Sequence, residues 1–270
     1  MFNKIVSIHG VPRSGTSWLG QIFNSSTDTR YKFQPLFSYT FKDAINVRSS
    51  KEEISTFYRE LYQTNDDFLD QTKQIEKGYY PNFNKTDDSP RTLVTKMVRY
   101  HYMIPKLLKE VEEIKIIAII RNPFAVLSSW KSAPKEFPPG LNFQEEWRYA
   151  QNRNFFKPEE YFGFEKWKEA TKLFLWAKEK YPEKIMIVKY EDLVKSTIDT
   201  TKKMFEFCSL DTEPQTLEFI SESKSKKDND PYSVYKKDIN LEKWKQNLSQ
   251  SIVDAMYQEL VNTDFEQFIR

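Results

Sequence analysis

The sequence predicts an α/β fold in which a central parallel sheet of about five strands is flanked by helices on both faces, and three observations carry this. Short, continuous apolar runs rich in Ile and Val recur along the 270 residues, as expected of strands buried on both faces. Segments with helical periodicity separate them, the alternation that builds a parallel sheet. The first run also passes through a turn containing Gly and Pro directly into an amphipathic helix.

In chain order, residues 4–8 read as the first strand and 18–24 as the helix after it. Residues 31–33 are a weaker strand and 54–69 a helix. The strand at 93–96 is followed by a helix at 105–111, and the strand at 114–120 by a helix at 124–131. A long helix at 164–180 leads to the strand at 185–189, and helices follow at 193–207, 242–248 and 252–261. Two segments break this regularity. Residues 78–89 are polar and turn-rich, and 132–161 carry Pro134, Pro138-Pro139-Gly140 and Pro158 between aromatics. Both are too long for ordinary connections, so they are candidate lids or substrate loops, with a surface hairpin or disorder as the plainer alternative. The polar run 221–231 resembles a linker, but helical pattern resumes after it. The expected organisation is a single domain over 1–270, with substrate or lid loops near 32–90 and 132–161.

Composition narrows the function. Charged residues make up 30% of the chain and the mean hydropathy is −0.70, which predicts a soluble protein. A net charge of +2 gives no global field for nucleic acid or an anionic membrane, so any anion site is local. The lone Cys208 rules out an intrachain disulfide framework and a cysteine zinc site, and it reads as a small core residue. No run approaches the ~18 apolar residues of a membrane span. The opening apolar stretch Ile5-Val6-Ser7-Ile8 is too short for a signal peptide. A cytoplasmic location is expected for a chain complete as it stands.

The turn after the first strand carries the most chemistry. It reads Gly10-Val11-Pro12-Arg13-Ser14-Gly15-Thr16-Ser17-Trp18. A strand, a tight turn and a helix opened by hydroxyl residues aim backbone N–H groups and a helix N-terminus at one point, which suits an anion. Gly10 and Gly15 have the spacing of the nucleotide-triphosphate loop G-x-x-x-x-G-K-[ST], but Thr16 occupies the lysine position and the cation sits earlier, at Arg13. A second candidate site follows the strand at 114–120. Arg121-Asn122-Pro123 closes the strand and Ser129 stands eight residues after Arg121, with Ser128 as its neighbouring competitor. An Arg fork and a hydroxyl in this arrangement can grip a second phosphate.

Together these segments resemble sulfotransferases that use 3′-phosphoadenosine 5′-phosphosulfate (PAPS). The run Pro12-Arg13-Ser14-Gly15-Thr16-Ser17-Trp18-Leu19 is similar to the family's 5′-phosphosulfate loop, and Arg121 with Ser129 to its 3′-phosphate site. The resemblance implies a P-loop NTPase-like three-layer sandwich. It implies that Pro12, Arg13, Ser14, Gly15, Thr16 and Ser17 bind the donor's 5′ end and that Trp18 stacks on adenine. Tyr190, in Tyr190-Glu191-Asp192-Leu193, matches the family's adenine-side tyrosine, and Lys236 or Lys224, Lys226 or Lys227 stand where a basic loop closes on the 3′-phosphate. The implied reaction moves a sulfuryl group from PAPS to a hydroxyl or amine and releases 3′-phosphoadenosine 5′-phosphate (PAP), with no metal. Arg13 and the strand-end Lys96 are the implied catalytic cations, with Arg99 as runner-up. The family's histidine two residues after that lysine is replaced by Val98. Gln34-Pro35 stands where carbohydrate-type members carry Glu-Pro, so Gln34 and Arg99 are candidate acceptor contacts. A general base is sought elsewhere: His101 first, because imidazole titrates near neutrality, then His9 and Asp43. The acceptor is expected to be a carbohydrate, with other small molecules open. The alternatives are a P-loop nucleotide kinase and a PAP-binding module without turnover.

Overall fold

The computed structural model describes residues 2–86, 90–228 and 230–269. Five strands, β1 (Lys4–His9), β2 (Thr29–Phe33), β3 (Thr92–Met97), β4 (Ile114–Ile120) and β5 (Ile185–Lys189), pair in parallel in the order β2-β3-β1-β4-β5. All the expected strands are present, and β2 starts two residues earlier than its apolar run, at Thr29. Side chains of β4 alternate between the faces, as the period of a strand requires. Ile114, Ile116, Ala118 and Ile120 pack into one core with Phe57, Leu107, Phe174 and Met256. Ile117 and Ile119 pack into the other with Leu19, Ile22, Phe23 and Phe205. Helices cover both faces, so the molecule has three layers.

The first core lies under helices Lys51–Gln63, Ile104–Glu110, Phe164–Lys180 and Gln250–Leu260, and the second under Thr16–Asn24, Thr197–Phe207 and Pro214–Ser225. The helix read at 54–69 begins earlier and ends earlier. Its start is a capping box in which Ser50 Oγ accepts from Glu53 N at 3.1 Å and Glu53 Oε2 from Ser50 N at 2.6 Å. Beyond Thr64 the Asp66 carboxylate instead accepts from Phe68 N and Leu69 N, both at 2.9 Å, and turns the chain out of the helix. The helix read at 193–207 is two, Tyr190–Lys195 and Thr197–Phe207, separated at Ser196 (φ −130, ψ 57). The helix Pro214–Ser225 was not expected, because Thr216 and Ser223, buried on its inner face, interrupt the apolar period.

Segment 132–161 is a packed loop with two short helical turns, Phe143–Glu146 and Gln151–Asn154. The Asn154 amide donates to Phe162 O at 2.9 Å and accepts from Phe162 N at 3.2 Å, and Phe137 and Phe143 pack on Trp130. The candidate loop at 78–89 is described as far as Thr86. There the Lys85 ammonium donates to Asn24 O at 2.5 Å and Ser26 O at 3.0 Å; residues 87–89 lie outside the described residues.

Strand order places the site. β1 is central; the chain runs first to the edge strand β2, returns to β3 beside β1, and then crosses to β4 and β5 on the other side. Ligands of open parallel sheets bind outside the carboxyl ends of the strands where the order reverses, here between β1 and β4.

Candidate active site

The loop between β1 and the helix Thr16–Asn24 is shaped by backbone conformations that few residues accept. Arg13 (φ 72) and Gly15 (φ 86) are left-handed. A Cβ at Gly15 would lie 2.5 Å from the Tyr190 ring, and one at Gly10 would lie 2.7 Å from Ile119 O, so glycine is required at both. The hydroxyl of Ser14 is buried inside the turn without a hydrogen-bond partner.

Above the loop opens a cleft of about 420 Å³. Pro12, Arg13, Gly15, Thr16, Ser17 and Trp18 form its floor, and Arg121, Ser129, Tyr190 and Lys236 also line it. The two cations are built into the backbone. Arg121, at the end of β4, donates from Nη1 to Arg13 O at 2.9 Å and lies 4.5 Å over the Tyr190 ring, while Trp167 Nε1 donates to its carbonyl at 3.0 Å. The buried Arg121 Nε has no partner. Arg13 donates from Nε to Ser129 Oγ at 3.2 Å and from Nη2 to Pro231 O at 3.1 Å. Of the two competing serines, Ser129 faces the cleft, whereas Ser128 Oγ accepts from Asn247 Nδ2 at 3.1 Å. Trp18 Nε1 donates to Ser223 Oγ at 2.9 Å, and its ring meets Tyr190 edge-on at 6.5 Å. These two rings and the loop fit a nucleotide: an aromatic wall for a base, and backbone N–H groups with Arg121 and Ser129 for phosphate oxygens, whereas Ser14, expected among the donor contacts, has its side chain buried inside the turn and does not line the cleft.

Lys236 Nζ donates to Asp228 O at 3.1 Å and to Asp230 O, which fixes the segment over the cleft. Lys224 and Lys226 turn elsewhere, to Val194 O at 3.1 Å and to Glu222 at 3.1 Å.

Lys96, the penultimate residue of β3, stands opposite Phe33 of β2. Its side chain is buried in the cleft, with Nζ 4.3 Å over the Phe33 ring and with no hydrogen bond or ion pair among the described residues. Burial, reinforced by the neighbouring guanidiniums of Arg99 and Arg13 and opposed by Glu136, lowers its pKa to about 7. Beside it, Arg99 is ion-paired to Glu160 at 2.8 Å and donates from Nη1 to Gln34 Oε1 at 2.8 Å. Gln34 itself is left-handed (φ 41) and its N–H donates to Lys96 O at 2.8 Å, which ties the β2 and β3 tips together.

His101 and His9 do not reach the cleft. Both are fully buried beneath it and face each other, with Nδ1 to Nδ1 at 3.0 Å, and Ser7 Oγ lies 2.9 Å from His9 Nε2. His101 packs against Tyr161 and Phe174. Burial holds both imidazoles neutral, His9 at about 3 and His101 well below its ordinary range. Such groups cannot take a proton from a substrate in the cleft. Asp43 accepts from Tyr100 Oη at 2.7 Å and is not part of the cleft wall.

The cleft also holds residues that sequence reasoning did not single out: Gln71, Gln74, Tyr80, Glu136, Phe162 and Tyr232. Gln74 sits in the short helix Thr72–Glu76 and the others in loops, where no strand-end pattern marks them. Glu136 lies two residues after Pro134 in a Pro-rich stretch, and only that placement could have drawn attention to it. No group of three or more His, Cys, Asp or Glu able to hold a metal occurs among the described residues. Among the same residues no helix is long and apolar enough to cross a membrane.

Comparison with known proteins agrees with this geometry. The fold is similar to mouse sulfotransferase SULT7A1, solved with PAP, at 14% identity, covering 99% of this chain and 90% of that one with a TM-score of 0.57. It is similar to retinol dehydratase in a complex with retinol and PAP, at 15% identity, with coverage of 98% and 83% and a TM-score of 0.56. It is also similar to the sulfotransferase domain of the curacin biosynthetic pathway, at 17% identity, with coverage of 96% and 98% and a TM-score of 0.52. No curated protein sequence matches the chain. The sequence itself matches the sulfotransferase family over residues 6–214, and the chain, an enzyme built on this fold, belongs to that family.

Proposed function

We propose that the enzyme transfers the sulfuryl group of PAPS to a hydroxyl or amine of a carbohydrate acceptor and releases PAP. The observation that carries the donor is the pair of anion cradles in one cleft, the loop of Arg13, Gly15, Thr16 and Ser17 at the β1 end and Arg121 with Ser129 after β4, where Arg121 Nε lacks a partner. Two cradles beside one aromatic wall suit an adenosine nucleotide phosphorylated at two positions. The complexes of the similar folds with PAP support the same reading.

In this reading Thr16, Ser17 and the loop amides hold the 5′-phosphate, and Arg121 and Ser129 hold the 3′-phosphate. Trp18 and Tyr190 flank adenine, and Lys236 keeps its segment closed over the nucleotide. Arg13 and Lys96 flank the transferring group, where charge grows on the leaving oxygen and the sulfuryl oxygens. Positioned cations in a site largely shielded from water stabilise that charge most effectively. Arg13's acceptors are the neutral oxygens of Ser129 and Pro231 and a carboxylate 3.7 Å away, and phosphate oxygens compete well against these.

The acceptor enters across loops 32–90 and 132–161. There the amides of Gln34, Gln71 and Gln74 stand beside Phe33 and Phe162. Amides that pair with hydroxyls next to rings that stack on a sugar face favour a carbohydrate, and the Arg99–Glu160 pair gives this side a polar character. The single buried thiol is in keeping with a reducing, cytoplasmic setting. The test is sulfuryl transfer from labelled PAPS to a panel of mono- and disaccharides. Arg13→Ala is expected to reduce transfer by at least ~10²-fold while leaving the fold intact. Wild-type rates in that variant would remove Arg13 from the reaction, and transfer only to non-sugar alcohols would replace the acceptor class.

A further inference from the structure

Val98 and Gln34 line the cleft beside Lys96 and neither can take up a proton, yet an attacking hydroxyl must lose its own. Among the described residues that line the cleft there is no histidine, and the only carboxylates are Glu136 and Asp238. Asp238 is exposed and adjoins Lys236 and Lys237, on the nucleotide side. Glu136 lies where Arg13 and Lys96 converge. Its Oε1 is 3.7 Å from Arg13 Nη1, and its charge acts on the Lys96 ammonium. The side chain is 23% exposed, dry enough to be oriented and open enough to reach a ligand.

Its orientation is imposed from the opposite wall. Tyr232 Oη donates to Glu136 Oε2 at 3.0 Å and accepts from Lys135 N at 3.0 Å, so one phenol grips two consecutive residues of the loop. Tyr232 is in turn fixed by its own N–H donating to Asp230 Oδ1 at 2.8 Å. The same segment supplies Pro231 O to Arg13 and Lys236 to the cleft. Trp130 Nε1 anchors the loop from below by donating to Glu136 O at 3.1 Å.

We infer that Glu136 is the general base for the acceptor, with Tyr232 as its positioning residue. This rests on the sulfuryl-transfer reading above. As the acceptor oxygen forms its bond to sulfur, the bridging S–O bond to the 5′-phosphate breaks and the electron pair leaves with PAP. The acceptor's proton passes to the Glu136 carboxylate, which returns it to water after product release. Because Tyr232 belongs to the segment that carries Lys236, the base is in register only when that segment lies over the nucleotide.

The experiment compares wild type with Glu136→Gln, Glu136→Asp and Tyr232→Phe. It follows PAPS consumption with water and with the sugar panel as acceptors, alongside stabilisation by PAP in thermal melts. Glu136→Gln is expected to lower kcat ~10²-fold or more and to abolish the acidic limb of the kcat–pH profile, with PAP stabilisation retained. Glu136→Asp should recover part of the rate. Tyr232→Phe should lower kcat more than it changes donor KM, because the carboxylate loses the hydrogen bond that orients it. A Glu136→Gln rate within ~3-fold of wild type, or an unchanged acidic limb, overturns the inference. So does a gain in PAP affinity without loss of kcat, because Glu136 would then only shield Arg13. Failure of wild type to bind PAP would strike the donor reading instead.

Discussion

If the donor occupies the cleft as proposed, Lys96 ties its binding to pH. Its ammonium is buried at the β3 tip without a hydrogen bond or ion pair among the described residues, and its pKa is about 7. A phosphosulfate or phosphate beside it would restore the charged form and lift the pKa again. Binding of PAP should therefore take up a proton between about pH 7 and the raised bound-state pKa. Phosphate groups are themselves fully ionised above pH ~8, so in that range the protonation belongs to the protein. With a bound-state pKa above 9, the PAP dissociation constant should weaken roughly tenfold per pH unit above 7, which amounts to about 1.4 kcal/mol per unit, or ~100-fold at pH 9. Calorimetric titrations with PAP at pH 8.5, in buffers of different ionisation enthalpy, count the protons directly. Wild type should take up close to one, whereas Lys96→Met should take up none, bind more weakly and show no pH dependence. Equal proton uptake in the two proteins, or a pH-independent wild-type affinity between 7.5 and 9, would refute the assignment. Stability supplies the converse check. Between about 7 and 10.5 the unfolded chain holds a proton at Lys96 that the folded chain lacks, so the destabilisation is greatest below 7 and is relieved as pH rises. Lys96→Met should thus be more stable than wild type at pH 6, by roughly 2–5 kcal/mol.

Three further outcomes follow from the same geometry. Gly15→Ala should lose roughly 2–4 kcal/mol in urea unfolding, because it combines a left-handed backbone with a Cβ 2.5 Å from the Tyr190 ring; a stability within ~0.5 kcal/mol of wild type would contradict that contact. The buried His9–His101 pair stays neutral in the folded protein while unfolded histidines take up protons below 6.5, so stability should fall from pH 6.5 down to 5 by as much as about 1.4 kcal/mol per pH unit per histidine, and His101→Gln should flatten that slope in chemical denaturation. Ser129→Ala should weaken PAP binding in calorimetry by about 1 kcal/mol or more, whereas Ser128→Ala, which loses only the Asn247 contact, should leave PAP affinity unchanged.

The parts legible in the sequence were those set by local rules. The apolar runs of β1, β4 and β5 could be buried only as strands, and the Gly10–Gly15 spacing, with Arg121 and Ser129 at the next strand-to-helix junction, marked both cradles. Chain order along a parallel sheet brings strand ends together, so motifs at those ends meet without any knowledge of the loops. Elements shaped by polar side chains were less legible. Thr216 and Ser223 hide the helix Pro214–Ser225, and Asp66 ends a helix that periodicity would have prolonged. The proposed proton acceptor has the weakest sequence signal. His101 has the right chemistry and lies near Lys96 in sequence, but the turn after β3 sends its ring down against Tyr161 and Phe174. Glu136 enters the cleft only because Trp130 and Tyr232 fold a Pro-rich loop back over it, a tertiary contact with no local signature.

The most direct measurement is a titration of the wild-type protein with PAP, with adenosine monophosphate lacking the 3′-phosphate, and with ATP plus Mg²⁺. The two cradles predict strong stabilisation by PAP, at least ~10-fold weaker binding of the monophosphate, and loss of that discrimination in Arg121→Ala. Equal affinity for PAP and the monophosphate, or stabilisation by ATP with Mg²⁺ and none by PAP, would contradict the account.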